Sequence, residues 1–238
     1  MFDKYKNPIL MLSGGKDSIA CLFKLKAELD NLIVVWVNTG KSFKETEDII
    51  NLIKPYTKHF VELRVNRDLQ WEIYGWPADI INPLHTVEGH LYSGSQFKTQ
   101  TPFNCCVMNL MLPVFKLAKE IGSTLLIKGQ KNADGLKDKY KSGDMLEGIT
   151  IWHPIEHWTD EQVLAAVEEG LGFLPEHFKL KHSSLDCRDC TGFVEVTQDR
   201  IAYIKDNYPE DFTELRRKLN IIRNAALGPL NDIDEVLK

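Results

Sequence analysis

The hydrophobic positions of the chain fall first into short continuous runs and only later into helical stripes. Ile9-Leu10-Met11-Leu12 is an apolar run cut off by Ser13-Gly14-Gly15. Over residues 19–29 the period changes, with Cys21, Leu25 and Leu29 at i, i+4 and i+8 on one face of a helix. Asp30-Asn31 makes a turn. Residues 32–37 are continuously apolar and rich in β-branched side chains, the pattern of a strand buried on both faces of a parallel sheet. That strand ends in Asn38-Thr39-Gly40, a helix is expected over 44–56, and 59–65 is the next strand. Strand, helix, strand, helix, strand predicts a doubly wound, mostly parallel α/β sheet with helices on both faces and its ligand site at the carboxyl ends of the strands.

Over 67–103 the pattern weakens into short aromatic and proline-bearing pieces. Gly89, Ser93, Gly94, Ser95, Lys98 and Thr99 suggest an exposed, mobile loop that closes over a ligand. Helical signal returns over 104–120, where Pro113 imposes either a kink or two consecutive pieces. Residues 124–127 form another short buried strand. Thr159 can cap a helix over 160–169, with Glu161 and Gln162 in its first turn. Residues 197–207 and 209–227 read as two polar amphipathic helices, and 228–238 as a loose tail. Two domains are expected, residues 1–195 holding the sheet and the chemistry-bearing motifs, and 196–238 as a helical appendage with its tail.

At 238 residues, 43% hydrophobic and 26% charged, the chain has the composition of a globular protein. No apolar run reaches the roughly 18 residues of a membrane span, and the start MFDKYKNP has no apolar core of a signal peptide, so a cytoplasmic location is expected. A net charge of −5 argues against indiscriminate nucleic-acid binding. Locally the balance reverses, because residues 128–141 hold five lysines (Lys128, Lys131, Lys137, Lys139, Lys141) against Asp134 and Asp138. A solvated loop and a phosphate- or sulfate-binding segment both fit that stretch.

The first candidate chemistry sits in Ser13-Gly14-Gly15-Lys16-Asp17-Ser18. A strand that turns on two glycines into a helix aims several backbone amides at one spot, where the helix dipole also favours negative charge. Lys16 adds a mobile cation, Ser13 and Ser18 have hydroxyls to donate to phosphate oxygens, and Asp17 can hold the loop or a magnesium ion. The spacing is not that of the common P-loop.

The second is the cysteines. Five is an odd number at low density, which suits a metal site in a cytosolic chain better than a disulfide framework. Four stand in two pairs, Cys105-Cys106 and Cys187-Arg188-Asp189-Cys190, with 80 residues between them. Four soft ligands suit zinc or an iron–sulfur cluster; adjacent cysteines diverge, which is awkward around one tetrahedral ion and easier on the separate corners of a cubane. Cys21 is expected to be a core residue.

SGGKDS resembles the PP-loop of the adenine nucleotide α-hydrolase superfamily. Together with NTG-x2-F-x-E-T from Asn38, Cys105-Cys106, PIEHWT from Pro154 and C-x2-C-T from Cys187, it resembles the sulfonucleotide reductases, which act on adenylylsulfate (APS) or phosphoadenylylsulfate (PAPS), over about residues 8–195. The paired cysteines are similar to those of the members that carry a 4Fe-4S cluster. The resemblance implies that Ser13, Gly14, Gly15, Lys16, Asp17 and Ser18 bind phosphate and sulfate groups. It further implies that Asn38, Thr39 and Gly40 line the nucleotide site, that Gly129, Gln130 and Lys131 approach the ligand, and that Cys105, Cys106, Cys187 and Cys190 ligate the cluster. A homo-oligomer is expected.

Three positions depart from that pattern. The reductases attack sulfur with a cysteine in a C-terminal E-C-G-[IL]-H segment, and here no cysteine follows Cys190. The basic pair of C-C-x-x-R-K is replaced by Asn109 and Leu110, and the usual D-T-G begins with Asn38. Three readings stay open: a reductase-type enzyme taking its thiol from a thioredoxin-like partner, an ATP pyrophosphatase (with Mg2+) that adenylates an acceptor for cluster-dependent sulfur insertion, and a non-catalytic nucleotide and cluster sensor.

Overall fold

The structure is a computed structural model that describes residues 2–133, 140–180 and 187–238. Lys137, Lys139, Asp134 and Asp138 of the basic stretch, and residues 183–186 ahead of Cys187, lie outside the described residues. In chain order the elements begin β1 (Ile9–Met11), α1 (Lys16–Lys24), β2 (Ile33–Asn38), α2 (Lys44–Ile53) and β3 (His59–Arg64). Then come α3 (Arg67–Tyr74), β4 (Trp76–Pro77), α4 (Val87–Ser93), β5 (Thr99–Gln100) and α5 (Pro102–Cys106). One π-helical turn (Val107–Met111) leads into α6 (Leu112–Glu120), followed by β6 (Leu125–Lys128), β7 (Met145–Leu146) and β8 (Ile149–Trp152). Three helices close the chain: α7 (Asp160–Leu171), α8 (Gln198–Asn207) and α9 (Pro209–Val236).

Two compact units interleave along the sequence. The first comprises Met1–Asn38, Ser42–Val65 and Leu112–Lys181, the second Thr39–Lys41, Asn66–Met111 and His182–Lys238.

The first unit is the doubly wound α/β layer. Its six-stranded sheet has the order β3-β2-β1-β6-β8-β7, parallel except for the β7–β8 pair. Ile19, Ala20, Cys21 and Leu22 of α1, Ile49, Ile50 and Ile53 of α2, and Val163 and Val167 of α7 cover one face. Val114 and Ala118 of α6 cover the other against Ile9, Val35 and Leu126. Burying side chains of this size contributes about 1.5–3 kcal/mol each, which makes the two-sided apolar strands the anchor of the unit. Strand order reverses at β1, whose neighbours β2 and β6 are reached by the chain in opposite directions; in such sheets the crevice at the carboxyl ends there is the ligand site.

Several boundaries differ from the sequence reading. The first helix starts at Lys16, and beyond Lys24 the chain tightens into a 3-10 segment (Lys26–Asn31) instead of continuing as α-helix to Leu29. The strand β8 went unread, although Ile149 and Ile151 alternate with Thr150 and Trp152; its hairpin to β7 turns on Glu147 and Gly148, at φ +49° and +85°. The cap of α7 is as expected: Thr159 accepts from the Gln162 amide and the Gln162 side chain reaches back, a capping box.

The second unit pairs α3, α4, α5, α8 and α9 with the short parallel ladder β4–β5. The stretch from Gly89 to Thr99, expected as an exposed loop, includes regular elements: Gly89 and Ser93 lie in α4, Gly94 ends it at φ +64°, and Thr99 is buried in β5. Caps rather than periodicity define these helices, since the Asn66 side chain accepts from the Leu69 amide (3.0 Å) and the Thr86 hydroxyl from the Gly89 amide (3.2 Å). The break foreseen at Pro113 appears as the π turn ahead of it, where an absent proline amide leaves the ladder one donor short.

The tail is a second correction. From Gly228 the chain continues as helix through Pro229 to Val236. Pro229 denies the Ala225 carbonyl its helical donor, and the Asn82 side-chain amide supplies one at 3.1 Å.

Candidate functional site

In the first unit the segment between β1 and α1 is shaped by two close approaches. Gly14 sits at φ +84°, and a Cβ there would stand 2.5 Å from Cγ2 of Thr46 in α2. Gly129, just past β6, has no room for a Cβ because the Asp17 backbone occupies it. The strand next to β1 therefore delivers Gly129, Gln130 and Lys131 directly against the loop, at the reversal of strand order.

The hydroxyls of Ser13 and Ser18 hydrogen-bond within the loop itself. Ser18 Oγ donates to the Gly15 carbonyl (2.9 Å) and accepts from the Ser13 amide (3.2 Å) and Ser13 Oγ (3.1 Å). Ser13 Oγ in turn accepts from the Gly15 amide (3.2 Å). No side chain caps α1, whose N-cap is Gly15. The first-turn amides of a helix have no intrahelical acceptor, and here they face the loop with the positive end of the dipole.

Two lysines and two carboxylates complete this end. Lys16 donates to Asp160, the first residue of α7, at 2.6 Å and lies 3.5 Å from Asp17. Lys131, almost wholly buried, pairs with Asp17 and stands 3.5 Å from Asp160. The Lys16 hydrogen bond holds the Asp160 carboxyl below the usual carboxylate range, burial opposing it and the lysine charges adding to it. Uncapped amides and two ammonium groups in one place bind an oxyanion; each carboxylate is a ligand's competitor for the same cations.

Asn38, at the end of β2, donates to Glu62 Oε1 at 3.0 Å, and Arg64 Nε donates to the same oxygen at 2.9 Å. The Asn38 hydrogen bond lowers the Glu62 carboxyl, burial opposes it, and Arg64 adds to the lowering. A carboxylate thus stands beside the amide of Asn38, a residue role the sequence alone did not disclose. Thr39 and Gly40 are grouped with the second unit.

The second unit holds all four paired cysteines. Thr39 Oγ1 lies 3.9 Å from Cys187 Sγ, and the Arg188 amide donates to the Lys41 carbonyl at 3.0 Å. Cys105 is buried in α5, with the Trp71 indole N–H donating to its sulfur at 3.2 Å and the Asn109 amide at 3.6 Å. Burial pushes the Cys105 thiol up; Trp71 lowers it, the Cys190 sulfur raises it, and Arg67 and Asn109 lower it. Cys105, Cys190 and Arg67 therefore stand within electrostatic reach of one another, and Arg67 senses Cys187 as well. Cys106 is half-buried beside Cys105. Among the described residues, no group of three or more His, Cys, Asp or Glu side chains could hold a metal ion as they stand.

Two arginines frame the Cys187–Cys190 turn. Arg67, buried in α3, makes a two-pronged pair with Asp189 at 2.5 and 2.7 Å. Burial works against the Arg67 charge, yet Asp189 more than offsets it and the guanidinium stays firmly protonated. Arg200 of α8 donates to the carbonyls of Cys187 (3.4 Å), Cys190 (3.2 Å) and Gly192 (3.3 Å). Neither arginine was singled out from the sequence, nor were Trp71 and Asp160. Only Asp189, between two candidate ligands, hinted that a buried cation was needed.

No helix among the described residues is long and apolar enough to cross a membrane. No family model and no curated protein matches the chain. Solved structures of similar fold include phosphoadenylyl-sulfate (PAPS) reductase from Candida auris as a phosphate complex, 16% identical over 76% of this chain and 81% of that one, with a TM-score of 0.48. NMN synthetase from Francisella tularensis is 15% identical over 93% of this chain and 87% of that one (TM-score 0.47). NH3-dependent NAD synthetase from Campylobacter jejuni is 17% identical over 94% and 88% (TM-score 0.47).

Proposed function

We propose that the chain binds an adenine nucleotide through the loop of residues 13–18 and takes part in sulfonucleotide reduction, releasing sulfite from adenylylsulfate or its 3′-phosphorylated form. The observation that carries this reading is the uncapped start of α1 at the reversal of strand order, with Lys16 and Lys131 beside it. The order of motifs from SGGKDS to C-x2-C-T, which resembles that of the reductases, narrows the anion to a sulfonucleotide.

The reaction requires a thiolate to attack the sulfate sulfur, breaking the bond to the phosphate oxygen and releasing AMP from adenylylsulfate, or adenosine 3′,5′-bisphosphate from the 3′-phosphorylated form. A second thiol then displaces sulfite, sulfur(VI) gaining two electrons as the dithiol becomes a disulfide. Cys21 is no candidate for the first thiol, being wholly buried, with burial pushing it up to about 12. With four cysteines assigned to a cluster, the attacking dithiol comes from outside these residues, from a thioredoxin-like partner. The chain's own contribution is to hold the nucleotide: amides and ammonium groups neutralise the charge that develops on the departing phosphate.

The residue types of Cys105, Cys106, Cys187 and Cys190 suit a 4Fe-4S cluster, although as they stand they form no group that could hold a metal. An indole and an amide N–H aimed at the Cys105 sulfur suit a thiolate ligand. When bound, such a group supplies a one-electron centre and ties the stretch around Cys105 to that around Cys187.

Asp17 and Asp160 favour a second reading, because two carboxylates beside a phosphate site suit the Mg2+ that accompanies ATP in a pyrophosphatase. The test is anaerobic incubation with adenylylsulfate, phosphoadenylylsulfate and ATP in turn. Sulfite that depends on an added dithiol protein is expected. Pyrophosphate from ATP, formed with an acceptor, would replace the first reading by the second, and binding without turnover would remove both.

A further inference from the structure

The long helix α9 carries apolar side chains on two faces. Leu215, Ile222 and Ala226 form its buried face, each 8% exposed or less. Leu227 and Leu230 lie about a quarter-turn round the helix from that stripe, at 100° per residue. They are 38% and 50% exposed. Two exposed leucines on a helix are ordinary in themselves. Their flanks set them apart, because Arg223 precedes Leu227 by four residues and Asp234 follows Leu230 by four, both on the surface.

These four side chains share an arc of about 60°, and their spacing of four, three and four is that of a seam between two helices. Pro229 stands outside the arc. Among the described residues, neither Arg223 nor Asp234 has an ion-pair partner in its own chain, so both charges are available. Cation, leucine, leucine, anion is a pattern complementary to its own reverse, and its members are symmetric about the Gly228–Pro229 bond.

We propose that this face of α9 docks antiparallel on the same face of a second copy of the chain, about a two-fold axis. Each Leu227 then meets the partner's Leu230 and each Arg223 the partner's Asp234, one patch serving both copies. A parallel pair would set arginine against arginine and aspartate against aspartate, so charge selects the orientation. Ile233, 55% exposed, and Leu237 border the seam and are shielded by the partner. A seam of about three turns is smaller than the roughly 800 Å² per partner of a standard interface, and a micromolar dimer is expected. The inference goes beyond the function proposed above and draws on neither the nucleotide loop nor the cysteines.

The experiment uses the full chain with a thiol reductant present, so that no disulfide between copies mimics the contact. Sedimentation equilibrium at micromolar concentrations compares the parent with Arg223→Glu, with Asp234→Arg and with the two combined; circular dichroism confirms that each is folded. Expected is a dimer for the parent and dissociation constants raised about tenfold or more in each single variant. The combined variant, in which the charges are exchanged and the antiparallel pairing is again complementary, is expected to recover the parent's affinity. Leu227→Ser with Leu230→Ser should leave a monomer. A parent that is monomeric at these concentrations overturns the inference, as do single variants that dimerise like the parent, which would place the contact on another face. A combined variant no better than the singles overturns the antiparallel seam.

Discussion

Lys16 Nζ and Asp160 Oδ1, 2.6 Å apart, join the first residue of α1 to the first residue of α7. Two helix N-termini thus converge on one ammonium, and in the proposed function the Asp160 carboxylate competes with the nucleotide for it. Replacing Lys16 by Ala is expected to weaken adenine nucleotide binding by about 1.5–3 kcal/mol, the scale of a charge-assisted hydrogen bond. Asp160→Asn is expected to tighten it a few-fold, because the pair is solvent-exposed and its loss costs only about 0–1 kcal/mol. Calorimetry with ATP or adenylylsulfate measures both; equal affinity of Lys16→Ala and parent would move the phosphate site elsewhere.

Gly14→Ala and Gly129→Ala test the loop by different routes. At Gly14 the strain is a positive φ plus contact with Thr46 Cγ2, a methyl that can rotate away, so a cost of roughly 1–3 kcal/mol is expected. At Gly129 the obstacle is the backbone of Asp17 itself, so the loop must move. Thermal unfolding should find both variants less stable, and nucleotide binding should suffer more in Gly129→Ala. A Gly129→Ala protein with parental affinity would separate Gly129 from the site.

Cys21 should resist modification. With its thiol pushed up to about 12 by burial, almost none is thiolate at neutral pH. Incubation with sulfonucleotide alone, followed by intact-mass measurement, is expected to show no covalent sulfo adduct. An adduct mapped to Cys21 would make it the nucleophile and require α1 to open.

Breaking the Arg67–Asp189 pair should cost more than any surface ion pair. Both partners are buried, and removing one leaves the other charge unpaired, at about 3–5 kcal/mol. Arg67→Met is expected to unfold at much lower urea concentration. Arg67→Met combined with Asp189→Leu should recover part of the loss; a double variant as weak as the two singles summed would mean the residues do not act as a pair.

Acid sensitivity should include His177. Burial depresses its pKa below the ordinary 6.5, with Glu45 opposing. The unfolded chain therefore binds the proton first, so this stability is complete above about pH 6.5 and is lost as pH falls through the depressed value. Unfolding midpoints are expected to be flat from pH 8 to 7 and to decline below, by at most about 1.4 kcal/mol per pH unit for one proton. His177→Leu should flatten the decline; an unaltered slope would assign it to other groups.

The sheet was legible because residues 32–37 and 124–127 are apolar on both faces, a pattern few other structures require. The loop was legible because two glycines between a strand and a helix leave few alternatives. Periodicity could not reveal what depends on distant partners. The stretch from Gly228 reads as a loose tail until Asn82, far back in the chain, serves the Ala225 carbonyl that Pro229 leaves without a helical donor. Likewise the hydrogen bond between Ser13 and Ser18 and the pairing of Arg67 with Asp189 have no periodic signal.

The interleaving of the two units sets an order of events during synthesis. Residues 66–111, with Cys105 and Trp71, emerge from the ribosome well before residues 182–238, which supply Cys187, Cys190 and Arg200. At roughly 5–20 residues per second, the Cys105 segment waits several seconds for its counterpart. Meanwhile the six-stranded sheet can close as soon as residues 112–181 are made. Metal insertion at the proposed four-cysteine site would thus be a late step, following translation, and oxygen exposure of Cys105 and Cys106 would be greatest in the nascent chain.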